Sequence, residues 1–117
     1  MAYAELGKHT LAEKNIEAAI AVLEKSQDYY PISVYLTYMA DIYSEKKNFQ
    51  RAYRYAERSL KLANQYRLKD QISNSNLKLS ELHEQAGEYQ MAHKFYKEYI
   101  IYRDSVKNIA NVQLIAD

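Results

Sequence analysis

Gly87-Glu88-Tyr89-Gln90-Met91-Ala92 decides the fold, because its spacing is already present forty residues earlier as Lys47-Asn48-Phe49-Gln50-Arg51-Ala52 and again as Gly7-Lys8-His9-Thr10-Leu11-Ala12. A column of Gly7, Lys47 and Gly87, a ring two positions on and an alanine five positions on recur without a gap. The register extends back to Tyr3, Tyr43 and His83. It runs forward through Ile16, Ala56 and Tyr96, then Ala19, Ser59 and Tyr99, then Ile20, Leu60 and Ile100. Three- and four-residue steps of this kind are helical periodicity restarting after a break, the mark of a helical repeat array.

Composition agrees. The 117 residues, 48% hydrophobic and 26% charged, suit one small domain. Two glycines, one proline and no cysteine exclude a many-turned β domain, a disulfide framework and a thiolate metal site. Sixteen Lys and Arg against fifteen Asp and Glu leave +1, which supplies no polyelectrolyte attraction to nucleic acid or membrane. No apolar run reaches the ~20 residues needed to span a bilayer, and Met1-Ala2-Tyr3-Ala4-Glu5 lacks the basic and apolar regions of a signal peptide. The absence of cysteine leaves the compartment open, with a cytoplasmic site favoured and an extracytoplasmic one the alternative.

The repeated residues resemble the tetratricopeptide repeat family. In the second unit the resemblance lies in Leu36, Met39-Ala40, Tyr43, Ala52 and Ala56. In the third it lies in Leu79-Ser80, Gly87-Glu88-Tyr89, Ala92 and Tyr96, and the first unit supplies Tyr3, Gly7, Ala12 and Ile16. The family's tryptophan column holds Leu36 and Asn76, and its closing proline column holds Glu24, Asn64 and Asp104. Without that proline the second helix of each repeat is expected to run on by a turn, which lengthens the unit to forty residues. The resemblance implies an all-α, right-handed superhelical stack of antiparallel helix pairs, an α-solenoid of about two and a half repeats. The units are expected at 1–30 (partial), 31–69 and 70–105, with 106–117 starting a C-terminal linker helix.

Helices are expected at 1–6, 10–27, 31–46, 49–66, 70–86 and 89–115. Gly7, Lys47-Asn48 and Gly87 would act as stops, Thr10-Leu11-Ala12-Glu13 as a capping box, and Pro31 as a first-turn residue. At the crossing of each pair the small alanine lets backbones approach, with Tyr43, Phe49, Leu79 and Tyr89 on its flanks. Tyr3, Tyr43, Tyr89, Tyr96 and Tyr99 are read as structural.

No catalytic constellation is present, and no cofactor or metal is expected. There is no cysteine, phosphate-binding glycine loop, Gly-x-Ser-x-Gly or His-Glu-x-x-His, and His9, His83 and His93 have no i, i+4 spacing for two metal ligands. The reading is therefore of a protein that is not an enzyme. Arg51, Arg54, Arg58 and Lys61 form a basic stripe behind Lys46 and Lys47, but the third unit offers Met91, Lys94, Glu98 and Ile101 instead. A stripe confined to one repeat argues against nucleic acid.

The resemblance implies a concave face built by the first helix of each repeat. Its residues here are Glu5 from the first unit, Thr37, Tyr38, Asp41, Ser44 and Glu45 from the second, and Leu77, Lys78, Glu81, Glu84 and Gln85 from the third. Asp41 and Glu81 stand where family members that clamp a C-terminal carboxylate place asparagine, so a basic or amphipathic protein or peptide is the expected ligand. At the ends, Ala18, Ala21 and Val22 on one helix and Val106, Ile109, Val112 and Ala116 on the last have no evident cover. These faces suit a homodimer. The string Phe95-Tyr96-Lys97-Glu98-Tyr99, continued by Arg103-Asp104-Ser105, resembles the last repeat of sensor regions in bacterial signalling proteins. There a linker helix leads to a histidine kinase, diguanylate cyclase or DNA-binding domain. Two function classes follow: a regulatory interaction module, or a structural spacer and self-association unit without a groove ligand.

Overall fold

A computed structural model describes the backbone of residues 3–116 and the side chains of residues 11–108. Five helices follow one another: α1 (Tyr3–Lys25), α2 (Tyr29–Glu45), α3 (Phe49–Gln65), α4 (Lys69–Gln85) and α5 (Tyr89–Ala116), with no strand among the described residues. Their four connections share one backbone solution. Gln27, Lys47, Arg67 and Gly87 take left-handed φ values of 59°, 60°, 54° and 77°. The next N–H, from Asp28, Asn48, Leu68 or Glu88, donates to the carbonyl of Leu23, Tyr43, Ala63 or His83 at 2.8–2.9 Å. The left-handed residue's own N–H donates to Glu24, Ser44, Asn64 or Glu84 at 3.0–3.4 Å. Each turn thus satisfies carbonyls that a helix end leaves open, the Schellman arrangement.

These turns recur every twenty residues, so the forty-residue unit is two equal halves. α2, α3 and α4 are each 17 residues long. The length beyond the family's usual repeat of about 34 residues is therefore shared by both helices and is not carried by the second alone. Pro31 lies in the first turn of α2, as expected, and the Asn48 side chain caps α3 by accepting from the Arg51 N–H at 3.3 Å.

One expected boundary is absent. α1 runs through Gly7 and through Thr10-Leu11-Ala12-Glu13, so neither a stop nor a capping box forms there, and the helices expected at 1–6 and 10–27 are one. Glycine inside a helix costs about 1 kcal/mol, whereas a left-handed stop gives up helical hydrogen bonds that are recovered when the chain folds back on a neighbour. Among the described residues no helix precedes α1 to provide that neighbour.

Consecutive helices pack as antiparallel neighbours, and α2 and α4 lie side by side as the first helices of two repeats. Ile32, Leu36, Met39, Ala40 and Tyr43 of α2 meet Ala52, Tyr55 and Ala56 of α3 and Leu79 and Leu82 of α4 in one core. At its centre Ser59 Oγ lies 2.9 Å from both Ser33 Oγ and Ser75 Oγ and donates to the Ser33 carbonyl at 3.1 Å. Other buried polar groups on α4 are satisfied by carbonyls: Asn76 by Ile72 at 2.8 Å, Ser80 by Ala92 at 2.7 Å, and Ser73 by Tyr99 at 3.2 Å.

The repeat columns divide. Ala52 and Ala92 are buried, but Ala12 is exposed. Phe49 is 39% and Tyr96 43% exposed, so they are covered only in part, and Tyr89 at 69% does not fill the flank of a crossing. Phe49 and Tyr89 open their helices at the lip of a turn, and no further helix among the described residues lies beyond α5 to cover Tyr89 and Tyr96. Tyr43 and Leu79 are buried as expected. Tyr3 and His9 lie outside the described side chains.

Because Ala52 has 0% exposure, Ala52→Leu should lower stability by about 1–3 kcal/mol in a denaturant melt, while Ala12→Leu in the same repeat column should change it by less than ~0.5. The turns make an opposite pair of expectations. Arg67→Gly should raise stability and Gly87→Ala should lower it, each by about 1 kcal/mol, since only glycine takes positive φ without a Cβ clash. Thermal melts of the two variants check both signs.

Candidate protein-interaction face

α2 and α4 present the face on which the expected groove residues lie. Their alignment is held by contacts between residues about forty positions apart. The Tyr30 hydroxyl donates to Asp70, Gln71 Nε2 reaches Tyr30 Oη at 3.4 Å, and Lys78 Nζ sits 2.7 Å from Asp41 Oδ1. Lys78 also lies 3.8 Å from Glu81. Burial acts to lower the Lys78 pKa, but the hydrogen bond and charge of Asp41, with the charge of Glu81, outweigh it and leave the ammonium more basic than usual. Asp41 therefore does not act as a free negative charge on this face.

The remaining residues are distributed unevenly. The Thr37 hydroxyl is used by its own helix, bonding the Val34 carbonyl at 2.9 Å and the Ser33 carbonyl at 3.3 Å. Ser44 and Leu77 are half-buried, and Tyr38 projects with 57% exposure. Glu45 is exposed. Glu81, Glu84 and Gln85 come together with Tyr89 around an open depression of about 480 Å³. Glu5 lies outside the described side chains. Four carboxylates, Asp41, Glu45, Glu81 and Glu84, thus share the face with the single lysine Lys78. Tyr89 stands in a column expected to be core, and its position as the first residue of α5 is what lets it reach the rim.

The basic stripe has a different setting. Arg51 Nη1 pairs with Glu13 Oε2 at 3.2 Å and Arg58 Nη1 with Glu17 Oε1 at 2.7 Å, so acidic residues of α1 answer the arginines of α3. Arg54 and Tyr55 line the same cleft of about 240 Å³. Glu13 also accepts from the hydroxyls of Tyr43 at 2.5 Å and Tyr55 at 2.6 Å. Burial alone would raise the Glu13 pKa. The two tyrosine hydroxyls and the guanidinium charges of Arg51 and Arg54 overcome it, and the carboxyl is held below its ordinary value. Burial first, then the bond to Glu13, pushes both tyrosines above the usual phenol value. An arginine row already matched by carboxylates is poorly placed to take phosphates. The sequence analysis did not find these partners, because Glu13 and Glu17 stand on α1, 38 and 41 positions before Arg51 and Arg58.

His83 is a packing residue. Its ring stacks on Phe95 with centroids 5.3 Å apart, meets Tyr53 edge-on at 5.2 Å, and places Nδ1 3.3 Å from Glu88 Oε1. His93 is exposed, and His9 is outside the described side chains.

Antiparallel helix pairs joined by turns of one kind, with the first helices of successive pairs side by side, define an all-α helical-repeat protein. The family model described as Tetratricopeptide repeat matches residues 30–100, more than half of the chain, and the chain belongs to that family. Its repeats generally mediate protein–protein interaction and are typically non-catalytic. No curated protein and no solved structure matches the chain. No helix among the described residues is long and apolar enough to cross a membrane.

The Glu13 cluster yields a pH dependence of known sign. A carboxyl whose folded pKa is lowered contributes fully above its unfolded value near 4.5, and that contribution disappears as pH falls through the lowered value. Glu13→Gln should cost about 1 kcal/mol at pH 7 and should remove part of the loss of melting temperature that the parent chain shows on acidification below pH 4.5. Thermal melts at stepped pH values, run in parallel on both proteins, test this.

Proposed function

We propose that the protein is a non-catalytic interaction module whose α2–α4 face binds a basic or amphipathic segment of a protein partner. The observation that carries this reading is the excess of carboxylates on the face, with Glu45, Glu81 and Glu84 left exposed after Lys78 has taken Asp41. Such a face attracts cationic segments, repels a free C-terminal carboxylate and raises association rate more than it slows dissociation. Tyr38 and Tyr89 supply exposed rings beside the charges, suited to aliphatic or cationic side chains.

This reading extends to a regulatory or sensor part of a larger bacterial signalling or transcription regulator. Its support is the resemblance of the stretch from Phe95 to Ser105 to the last repeat of such sensors, together with α5. That helix has 28 residues against 17 in α4 and continues beyond its partner as one piece. A second reading, self-association through the terminal helices, is favoured by the exposure of Ala18, Ala21 and Val22 along α1. Val106 is half-buried, while Ile109, Val112 and Ala116 lie outside the described side chains.

Binding of a Lys- and Arg-rich amphipathic peptide, followed by fluorescence anisotropy, should weaken about three- to fivefold with Glu81→Lys or Glu84→Lys, mainly through slower association, and should fall as salt rises. Tighter binding of an acidic C-terminal peptide than of the basic one would overturn the groove reading. Light scattering then decides for self-association if the chain alone is a dimer that Val22→Asp returns to monomer.

A further inference from the structure

We infer that the ligand of the α2–α4 face is a partner segment polarised along its length, apolar at one end and basic at the other, and that Lys78 sets the boundary between the two. This rests on the reading of that face as a binding surface, and it states which basic segments the face accepts.

One stripe of α2 carries the division. Tyr30, Val34, Tyr38, Asp41 and Glu45 follow at steps of three and four residues, so they share one side of the helix. The first three are apolar or aromatic and 42%, 40% and 57% exposed, and the last two are carboxylates. α4 runs beside α2 in the same order. Asn74 is exposed and uncharged, Leu77 is half-buried, and beyond Lys78 come the exposed Glu81 and Glu84. The one carboxylate at the apolar end, Asp70, is half-buried with both oxygens engaged, one by the Tyr30 hydroxyl and the other by the Gln71 N–H at 2.9 Å. Val34 and its counterpart forty residues on, Asn74, are both exposed, so the openness of this lane belongs to the repeat itself and not to either end of the stack.

Lys78 stands where the halves meet. Its ammonium, 2.7 Å from Asp41 and 3.8 Å from Glu81, neutralises the inner carboxylate. The unanswered negative charge is thereby displaced toward Glu45 and Glu84, beside the depression that Gln85 and Tyr89 help to line. A ligand cation over the middle of the face meets a fixed positive charge, and one over Val34 gives up water without gaining a counter-charge. Aliphatic side chains belong over Val34 and Tyr38, where covering them is favourable, and cations belong over Glu45 and Glu84. At the helical rise the stripe from Tyr30 to Glu45 is about 22 Å long, a span of about seven extended residues.

The test uses the intact chain and fluorescein-labelled, end-capped peptides of about eight residues that share one composition, equal numbers of leucine and lysine. Two carry them as blocks, one in each direction, and a third alternates them. In anisotropy titrations the better blocked peptide should bind at least about fivefold tighter than the alternating one. Val34→Asp replaces an apolar contact with a counter-charge, so it should weaken the blocked peptide and tighten the alternating one, each about threefold. Lys78→Met opens Asp41 to cations and should tighten the alternating peptide more than the blocked one. Val34 is exposed and methionine keeps most of the lysine stem, and thermal melts of both variants confirm the fold. Equal affinity of blocked and alternating peptides, with both weakened by Glu81→Lys, overturns the inference and leaves the reading of a basic ligand standing. A Val34→Asp effect of the same sign on both peptides also overturns it, as does blocked-peptide binding that Glu84→Lys leaves unchanged, which is adsorption through leucine alone. Binding of none of the peptides overturns both readings.

Discussion

The fold depends on how closely α3 can approach α2 and α4, and one side chain sets that distance. Ser59 touches Ser33 on one neighbour and Ser75 on the other at 2.9 Å each, with Ala52, Ala56 and Ala63 above and below it at 0% exposure. Hydroxymethyl and methyl groups let three backbones converge where leucines would force them apart. The hydroxyls then satisfy one another, so the close approach leaves no polar group stranded. Because α2 and α4 are held to the same helix, their own alignment follows, and with it the reach of Lys78 to Asp41 that sets the charge of the exposed face.

The two ends of the stack are held differently from this centre. α1 reaches α2 and α3 through long polar side chains: Glu13 receives Tyr43 of α2 and Tyr55 and Arg51 of α3, and Glu17 receives Arg58 of α3. Part of its attachment is therefore electrostatic and depends on pH and salt, unlike the small-residue contact at the centre. At the other end α5 has Tyr96 and Tyr99 where α3 has Ala56 and Ser59. Rings at those positions cannot support another crossing as close as that between Ser59 and Ser75, so the packing geometry of the middle of the stack does not continue past α5 unchanged.

Charge is organised by the same asymmetry. Net charge is +1, yet the basic row of α3 and the acidic face of α2 and α4 lie on separate surfaces. α1 neutralises much of the first with Glu13 and Glu17, and Lys78 neutralises only one of the four carboxylates on the second. What remains outward on the α2–α4 face is acidic. The family's general role is protein–protein interaction, and the proposal of a basic or amphipathic ligand rests on these exposed carboxylates.

The forty-residue register, the all-helical class and the positions of Lys47, Gly87, Ala52 and Ala92 were legible in the sequence, because helical period and turn chemistry are local properties of the chain. The stops at Gln27 and Arg67 were not: like Lys47, neither residue favours positive φ by itself, and unlike Lys47 neither shares a forty-residue column with a glycine; their turns are imposed by helices packing on either side. Gly7 shows the converse, a residue suited to a turn that remains helical where no described neighbour folds back on it. The groove set was visible as a list of positions, but its working charge was not: Lys78 and Asp41 are 37 positions apart, and only the side-by-side placement of α2 and α4 makes them a pair. Exposure divided in the same way. Ala12, Ala52 and Ala92 are one column in the sequence, and tertiary structure alone separates the first from the other two, because burial depends on which helix lies opposite and not on the residue.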